Sequence, residues 1–490
     1  MQYISLMWCI AYTKVYFFCC HSTIFTIFMS DTTVKKVPTE LGTEKVGKLL
    51  MQYAIPAIIA QIAASLYNLI DRAFIGHMPD VGINAIAGLT STFPFMNLSV
   101  AFGAMIGVGG ATLLSVRLGQ RDYDSAKNIL GNLVSLNIVV GVLFATISFI
   151  FIDEILLFFG ADADTLPYAR DYMVIILLGN IITHLYFGIN AALRSSGHPK
   201  QAMKATIMTV LMNAVLTPIF IFVFGMGIQG AALATILAQA ITLVWQTKLL
   251  SNPNELVHLQ RGIYALKGEI VKKILRIGMS PFLINTAACM VVIIINQGLR
   301  DNSVDGEKAL SAAAYGISNS VQFIFVMIVL GLTQGMQPIV SYNFGAKRPD
   351  RVRKALLLTM MWATLVTTVG FVVCVGFPGY VVRIFNSDPL LIEKASWAMR
   401  VMCMFMPVIG FQLVTTNFFQ SIGKVNRSIF LSLTRQVLML IPLLVILPRY
   451  YGVNGVWYSM PISDMVAAIL TVITLLLQFK EWKYEKINNL

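Results

Sequence analysis

Long apolar runs alternate with short polar segments along almost the whole chain. An α-helix needs about 20 mainly apolar residues to cross roughly 30 Å of hydrocarbon. Because backbone groups inside lipid must be hydrogen-bonded within their own segment, each run of this length is predicted to be a helix. The pattern predicts twelve transmembrane helices, near residues 49–76, 84–114, 128–152, 168–190, 203–224, 228–249, 270–298, 309–341, 355–376, 392–419, 428–447 and 454–478.

The composition supports a membrane protein. Of the 490 residues, 57% are hydrophobic and only 12% are charged, which is too apolar for the surface of a soluble protein. The predicted fold class is therefore an all-α, multi-pass membrane protein that has the lipid bilayer as its solvent.

The net charge of +13 is organised by the predicted helices. Most of the lysines and arginines, Arg194 among them, lie in every second loop, whereas Asp153, Glu154, Asp162 and Asp164 lie in a loop of the opposite set. A nucleic-acid-binding protein has no need of this alternation, but the positive-inside rule explains it. We expect a bacterial cytoplasmic (inner) membrane protein without a nucleic-acid partner, in which both ends of the twelve-helix core face the cytoplasm.

The first half of the sequence recurs in the second half at a shift of about 226 residues. The anchors are Pro56 with Pro281, Gly119 with Gly345, Gly197 with Gly423, and Gly227 with Gly452. Each repeat holds six predicted spans, and an even number gives both repeats the same orientation in the membrane. We therefore predict two parallel six-helix repeats that form two lobes, with a substrate cavity between them that opens alternately to each side.

This pattern divides the chain into six predicted parts. Residues 1–28 form an extra apolar segment, and we interpret Met29 as the natural start; an additional span or an uncleaved signal is the alternative. The other parts are a cytoplasmic N-terminus at 29–48, an N-terminal lobe at 49–249, a cytoplasmic linker at 250–269, a C-terminal lobe at 270–478 and a cytoplasmic tail at 479–490.

Several motifs resemble those of the multidrug and toxic compound extrusion (MATE) family, over about residues 45 to 478. They are "YNLIDRAFIGHM", "GQRDYDSAKNIL", "LRSSGHPKQA", "LMNAVLTPIFIF" and "GIQGAALATILAQ". The resemblance implies a V-shaped, two-lobe antiporter that exports organic, often cationic, drugs or toxins in exchange for H⁺ or Na⁺. It implies no cofactor besides this coupling ion, and we expect a monomer.

Acidic residues are scarce within the predicted spans, so Asp71 in the first helix stands out. It shares a helix face with Ala64, Tyr67 and Asn68, a small and polar stripe that is expected to face the interior of a lobe. A carboxylate there requires a proton, a metal cation or a basic partner. Arg72 is the candidate for a simple ion pair, but adjacent residues point about 100° apart on a helix.

The resemblance assigns a cation-coupling site residue by residue. Asp71 matches the family's first-helix aspartate, Asn213 matches the asparagine of its N-x-x-x-D-P stretch, and Thr235 matches its sixth-helix threonine. Thr217 departs from the pattern, because the family often has aspartate immediately before Pro218. Sodium remains possible at Asp71, but the loss of one carboxylate weakens that interpretation and favours a proton.

The second lobe is predicted to be functionally different from the first. Asn296 matches Asp71 at the repeat shift and cannot titrate. Asp464, which aligns with Gln239, either neutralises a cationic substrate or pairs with Arg435. Together with Tyr67 and Asn68, these two positions are the candidate substrate contacts.

Two further residues allow two interpretations each. Pro56 interrupts the first span and is a candidate gating element, although proline kinks are also common in static helices. His184 in the fourth span is either titratable or a hydrogen-bonded packing residue, and the packing role is the more frequent one for a lone membrane histidine.

Two other classes of function compete with a gradient-driven antiporter. A primary pump is disfavoured because the sequence has no G-x-x-x-x-G-K-[ST] phosphate loop. A membrane-embedded enzyme would need clustered carboxylates or a histidine pair at the membrane surface, and the acidic pairs in the loops are weak candidates. A lipid-precursor flippase of similar two-lobe design is the stronger alternative, but it would be expected to carry several inward cationic side chains.

Overall fold

The computed structural model describes residues 39–78, 82–303 and 308–488, and this part of the chain is helical without strands. The apolar segment 1–28 lies outside the described residues. In the first half the helices are α1 Thr39–Thr43, α2 Val46–Gly76, α3 Gly82–Gly119, α4 Tyr123–Ile150, α5 Ile152–Phe158, α6 Leu166–Leu178, α7 Asn180–Ser195, α8 Pro199–Pro218 and α9 Gly227–Leu250. In the second half they are α10 Gly268–Asn302, α11 Lys308–Gly345, α12 Pro349–Phe371, α13 Pro378–Arg383, α14 Pro389–Met402, α15 Met406–Ser421, α16 Val425–Leu433, α17 Ile441–Tyr451 and α18 Val453–Asn488. Short π-helical stretches follow α8, α12 and α16, at Ile219–Val223, Val372–Gly376 and Thr434–Leu440.

The helices confirm the twelve predicted spans, two of which are bent. In the described part of the chain, ten helices or continuous helical segments are long and apolar enough to cross a membrane. The other two spans are pairs of shorter helices, α6 with α7 at 56° and α14 with α15 at 47°. The bends lie at equivalent places in the two repeats, at Gly179 and after Cys403, so the predicted continuous helices 168–190 and 392–419 are each broken near the middle.

At the C-terminal end of the core, the described residues are helical beyond the last predicted span. Residues 479–488, predicted as part of a tail, extend the last helix. Lys424 Nζ lies 2.6 Å from Glu481 Oε2, and Arg427 also pairs with this carboxylate. These ion pairs tie the extension to the C-terminal half of the bundle.

The short helix α1 lies within the predicted N-terminal segment 29–48 and is bound to the opposite half of the molecule. Leu41 is buried, and its carbonyl oxygen accepts hydrogen bonds from Asn343 Nδ2 at 3.0 Å and Arg351 Nη2 at 3.1 Å. Arg351 Nη2 also donates to the Glu44 carbonyl at 2.7 Å. Helix α1, the first in the described residues, is therefore anchored where α11 and α12 meet.

The repeat is visible in the backbone itself. Three pairs of residues about 226 positions apart have left-handed backbone angles at matching turns. They are Arg121 and Lys347 with φ of 60° and 55°, Gly197 and Gly423 with 101° and 75°, and Gly227 and Gly452 with 57° and 56°. Left-handed angles are uncommon for residues other than glycine, so their recurrence indicates that the two halves fold alike. We call α2–α9 the N-lobe and α10–α18 the C-lobe.

The lobes contact each other most closely at one end of the bundle. This end, which we call the basic end, is where α3 and α11 finish and are followed by Arg121 and by Lys347. A Cβ atom on Gly119 would overlap the Tyr342 carbonyl, and one on Gly345 would overlap the Val116 carbonyl. Main chain thus packs directly on main chain between the lobes.

A second glycine contact lies further along α3, where this helix packs on α10. A Cβ atom on Gly109 of α3 would overlap the Ile274 carbonyl of α10, and one on Gly278 would overlap the Met105 carbonyl. Side chains larger than hydrogen at these positions would push the helices apart. The observed state is therefore closed at the basic end.

Candidate functional site

The carboxylate of Asp71 is buried inside the N-lobe. Its residue is 7% exposed, and its Oδ1 accepts a hydrogen bond from Thr217 Oγ1 at 3.1 Å. Asp71 comes from α2 and Thr217 from the last turn of α8, so the contact depends on the packing of these two helices. The residue at which the sequence departs from the family pattern thus contacts the carboxylate.

Asn213 and Thr235 form the neighbouring part of the site. Asn213 lies one helical turn before Thr217, and its Nδ2 donates to Thr235 Oγ1 at 3.2 Å. Thr235 donates in turn to the Ala231 carbonyl at 3.0 Å. The structure therefore brings the predicted residues together as two hydrogen-bonded pairs on three helices, and we call these four residues the coupling cluster.

The buried amide of Asn213 has capacity left for a ligand. Its side chain is fully buried, and Oδ1 receives no hydrogen bond from the described residues. A buried acceptor without a donor costs about 1–3 kcal/mol. A water, a hydronium or a cation held beside this oxygen would remove that cost.

The donor set of the coupling cluster is suited to a small hard cation or a proton. It offers carboxylate, hydroxyl and amide oxygens, which are the ligands that such ions prefer. Asp71 supplies the single negative charge of the four residues. A proton can be carried by one carboxylate, whereas a metal cation loses attraction when the second carboxylate is replaced by Thr217.

Two predicted neighbours of Asp71 cannot be placed. The side chains of Tyr67 and Asn68 lie outside the described residues, as does that of Arg72. Their proposed roles in substrate binding or ion pairing stay predictions.

Pro56 lies buried inside α2, which runs as a helix through it. The backbone on both sides of Pro56 packs against glycines of the C-lobe. A Cβ atom on Gly335 would lie 2.6 Å from the Ala54 backbone, and one on Gly331 would lie 2.6 Å from that of Ile58. The proline is therefore placed directly at the contact between the lobes.

In the C-lobe, Asp464 forms the ion pair with Arg435 that is one of its two predicted roles. Its Oδ1 accepts from Arg435 Nε at 2.6 Å, and the residue is 3% exposed. Its carbonyl accepts from Gln412 Nε2 at 2.6 Å. The charge of Asp464 is thus compensated by an arginine, so this residue is held as part of an ion pair.

Asn296 differs from Asp71 in burial as well as in charge. It is exposed on α10, whereas Asp71 on α2 is buried against α8. The geometry of the coupling cluster is therefore not repeated at this position of the C-lobe.

The surroundings of His184 favour its packing role. Its ring is buried, with Nε2 3.2 Å from Ser99 Oγ, and Ser99 donates to Asn180 Oδ1 at 2.7 Å. The ring fits between Gly103 and Gly141, whose added Cβ atoms would lie 3.6 Å and 3.7 Å from it.

The sequence does not predict a cavity of about 250 Å³ that is lined mainly by the N-lobe and also by Gln334 of α11 in the C-lobe; we call it the N-lobe cavity. Its polar wall consists of Gln61, Tyr186, Asn190, Arg194, Thr206, Thr209, Gln239 and Gln334. The charge pattern places Arg194 in a basic loop, yet this residue lines the cavity, and its Nη1 donates to Asn190 Oδ1 at 2.8 Å. The sequence contains one indication of this cavity, the regular spacing of polar residues in the segments that form α8 and α9.

Comparison with known proteins agrees with the twelve-span, two-lobe fold. The family model MatE matches residues 56–219 and 302–446, which is more than half of the chain. The multidrug export protein MepA of Staphylococcus haemolyticus (strain JCSC1435) is 26% identical over 425 residues, covering 87% of this chain and 92% of the relative. The same protein from Staphylococcus aureus (strain N315) is 24% identical over 428 residues, covering 87% and 93%.

Two solved structures are similar over nearly their whole length. An outward-facing multidrug resistance MATE family transporter superposes with a TM-score of 0.84 at 24% identity, covering 93% of this chain and 100% of that one. The MATE multidrug transporter DinF-BH gives a TM-score of 0.82 at 34% identity, covering 91% and 98%. With its twelve spans, its repeated lobes and these matches, the chain belongs to the multidrug and toxic compound extrusion (MATE) family.

Proposed function

We propose that this protein is a multidrug efflux antiporter that exports organic, often cationic, compounds in exchange for protons. The observation that carries the proposal is the buried Asp71 carboxylate with Thr217, beside the Asn213 and Thr235 pair. The names of the relatives as multidrug exporters support the substrate class. The test is whether export drives proton movement in proteoliposomes and whether this movement requires Asp71.

The coupling ion is a proton rather than sodium. The coupling cluster holds a single acid, because Thr217 stands where the family often has an aspartate. A neutral hydroxyl keeps an oxygen ligand but removes a unit of negative charge, and sodium binding depends on that charge. Proton binding neutralises Asp71 and needs no second acid.

Transport proceeds by alternating access between the two lobes. If the basic end faces the cytoplasm, as the positive-inside rule requires, the observed state is closed inward and faces outward. Inward opening then separates the glycine contacts at the basic end, while α2 bends or shifts around Pro56.

A lipid-precursor flippase is less well supported. Such a protein would need several cationic side chains to hold phosphate groups inside the membrane. Arg194 is the single lysine or arginine among the described residues that line the N-lobe cavity.

The proposed orientation predicts the labelling of two loops. Ser251 follows α9 at the basic end, and Ala163 lies in the acidic loop before α6; both are exposed. With the native cysteines replaced, Ser251→Cys should be protected from a membrane-impermeant maleimide in intact cells, and Ala163→Cys should react. Reaction of both positions from the outside would overturn the span count and the orientation.

The placement of Pro56 at the lobe contact predicts a kinetic role. Pro56→Ala restores a backbone donor and straightens the preferred path of α2, so turnover should fall by about tenfold while ethidium affinity stays within about twofold. Initial rates and equilibrium binding of ethidium measure the two quantities separately. Normal turnover with weakened binding would show instead that Pro56 only packs the helix.

A further inference from the structure

Buried polar residues continue from the coupling cluster toward the basic end, along two facing helices. On each helix they are spaced three or four residues apart, which places them on one face. On α8 they are Thr206, Thr209, Asn213 and Thr217, and on α9 they are Thr235, Gln239, Thr242 and Gln246. Thr206 is half-buried, and the other seven are buried. We call this set the polar ladder.

Hydrogen bonds join the two sides of the polar ladder at successive levels. Below the bond from Asn213 to Thr235, Thr209 Oγ1 donates to Thr242 Oγ1 at 2.9 Å. Because α8 and α9 run in opposite directions, the next level toward the basic end pairs the region of Thr206 with that of Gln246. Thr183 of α7 joins from the side, with Oγ1 2.6 Å from Gln239 Oε1.

Threonine hydroxyls that bond to their own helix are common packing elements, and Thr209 also donates to the Ala205 carbonyl. Two buried amides in the ladder differ from these hydroxyls, because they have atoms without a hydrogen-bond partner. Gln246 is fully buried, and neither its Nε2 nor its Oε1 has a hydrogen-bond partner among the described residues. Oδ1 of Asn213 is likewise buried without a hydrogen-bond partner among the described residues. Buried amide groups require partners, so these positions call for water or for an ion.

The N-lobe cavity provides the space for water beside the ladder. Thr206, Thr209 and Gln239 belong to both its wall and the ladder. Ala64 of α2 also lines it, two helical turns from Asp71. A volume of about 250 Å³ can hold several waters. The cavity reaches from Ala64, two helical turns before Asp71, to Arg194.

We propose that the polar ladder and the N-lobe cavity form a water-filled path along which the proton of Asp71 leaves toward the basic end. This inference rests on the proposed proton coupling. The Asp71 carboxyl gives its proton to cavity water and remains as a carboxylate, and the excess proton moves along water and hydroxyl groups inside the lobe. Arg194, which forms no ion pair with a carboxylate of the described residues, disfavours residence of a second cation in the cavity and so promotes release.

In the equivalent region of the C-lobe, the described residues form an ion pair in place of such a path. Arg435 stands at the position that matches Thr209, Asp464 matches Gln239, and these two residues form the ion pair already described. Thr471 matches Gln246 and donates to the Ala467 carbonyl at 2.7 Å, so its hydroxyl is satisfied. Among the described residues, Gln246, both of whose amide atoms are unpaired, and the polar cavity therefore lie in the same lobe as the coupling carboxylate.

The test uses two independent variants of the full-length protein in proteoliposomes. Gln246→Leu removes the unsatisfied amide, and the double variant Thr209→Val with Thr242→Val removes one level of the ladder while keeping its shape. Thr471→Val in the C-lobe is the matched control, since it removes an equally buried hydroxyl outside the path. An internal pH dye reports proton flux driven by an ethidium gradient, and ethidium binding reports folding.

Both ladder variants should slow ethidium-driven proton flux by about tenfold or more, with ethidium affinity within about twofold of the wild type and with Thr471→Val unaffected. Wild-type flux in a ladder variant that binds ethidium would overturn the path, and so would an equal loss in Thr471→Val. These results leave the proposed function intact as long as Asp71→Asn abolishes flux. Retained flux in Asp71→Asn would instead contradict the proposed function itself.

Discussion

Proton-driven export should be lost when Asp71 is replaced by asparagine, while the protein still folds and binds its substrates. Asparagine matches aspartate in size and still accepts the hydrogen bond from Thr217 at that position. It cannot change charge, so it cannot carry a proton between the two sides. Efflux of ethidium and ethidium-driven proton flux should both fall to the level of empty liposomes.

Two companion variants separate the charge from the shape of this site. Asp71→Glu keeps the carboxyl group, so it should retain part of the proton flux. The rate should be reduced, because the extra methylene group of glutamate does not fit the tightly packed site. Thr217→Asp adds the second acid beside Asp71 and should make export depend on Na⁺. Wild-type efflux or proton flux in Asp71→Asn would move coupling to another residue, and Asp464 would then be the next candidate.

The second large effect is expected at the glycine contact between the lobes. Gly119→Ala and Gly345→Ala each place a methyl group where the opposite lobe presents a backbone carbonyl, which cannot move aside as a flexible side chain does. The closed basic end should be disfavoured, so turnover should fall by about two orders of magnitude. Gly316→Ala on α11 is the control, because its added Cβ atom meets no atom within 4 Å.

The conformational cause can be measured directly. Asp124 and Asp350 are exposed in the first turns of α4 and α12, at equivalent positions of the two lobes on the basic end. Spin labels at these positions should show a longer distance distribution in Gly119→Ala than in the parent. An unchanged distribution together with normal turnover would contradict the assignment of this contact as the closed gate.

The twelve spans and the repeat can be predicted from the sequence, because hydrocarbon thickness fixes the length of apolar runs and the repeat preserves turn residues. The bends in the fourth span of each lobe cannot be predicted from the sequence, because hydropathy remains high across Gly179 and across Cys403. The helical extension to Asn488 also escapes prediction, because it depends on ion pairs from Lys424 and Arg427 that are distant in sequence.

The coupling cluster is predictable because the family motifs place Asp71, Asn213 and Thr235, and the structure adds the contact of Asp71 with Thr217. The sequence leaves the role of Asp464 open, since it does not show which faces of two helices meet. The charge pattern places Arg194 in a loop, although the packing of α7 turns it toward the cavity. The cavity and the unpaired amide of Gln246 could not be predicted from the sequence, because both arise only when the helices pack together.

The central claim is that export is coupled to protons through Asp71. Its most direct test is the proton flux driven by an ethidium gradient in proteoliposomes that contain no sodium, compared between the wild type and Asp71→Asn. The wild type should give a flux that sodium does not increase, and Asp71→Asn should give none above background. A wild-type flux that requires sodium, or equal fluxes in the two proteins, would contradict it.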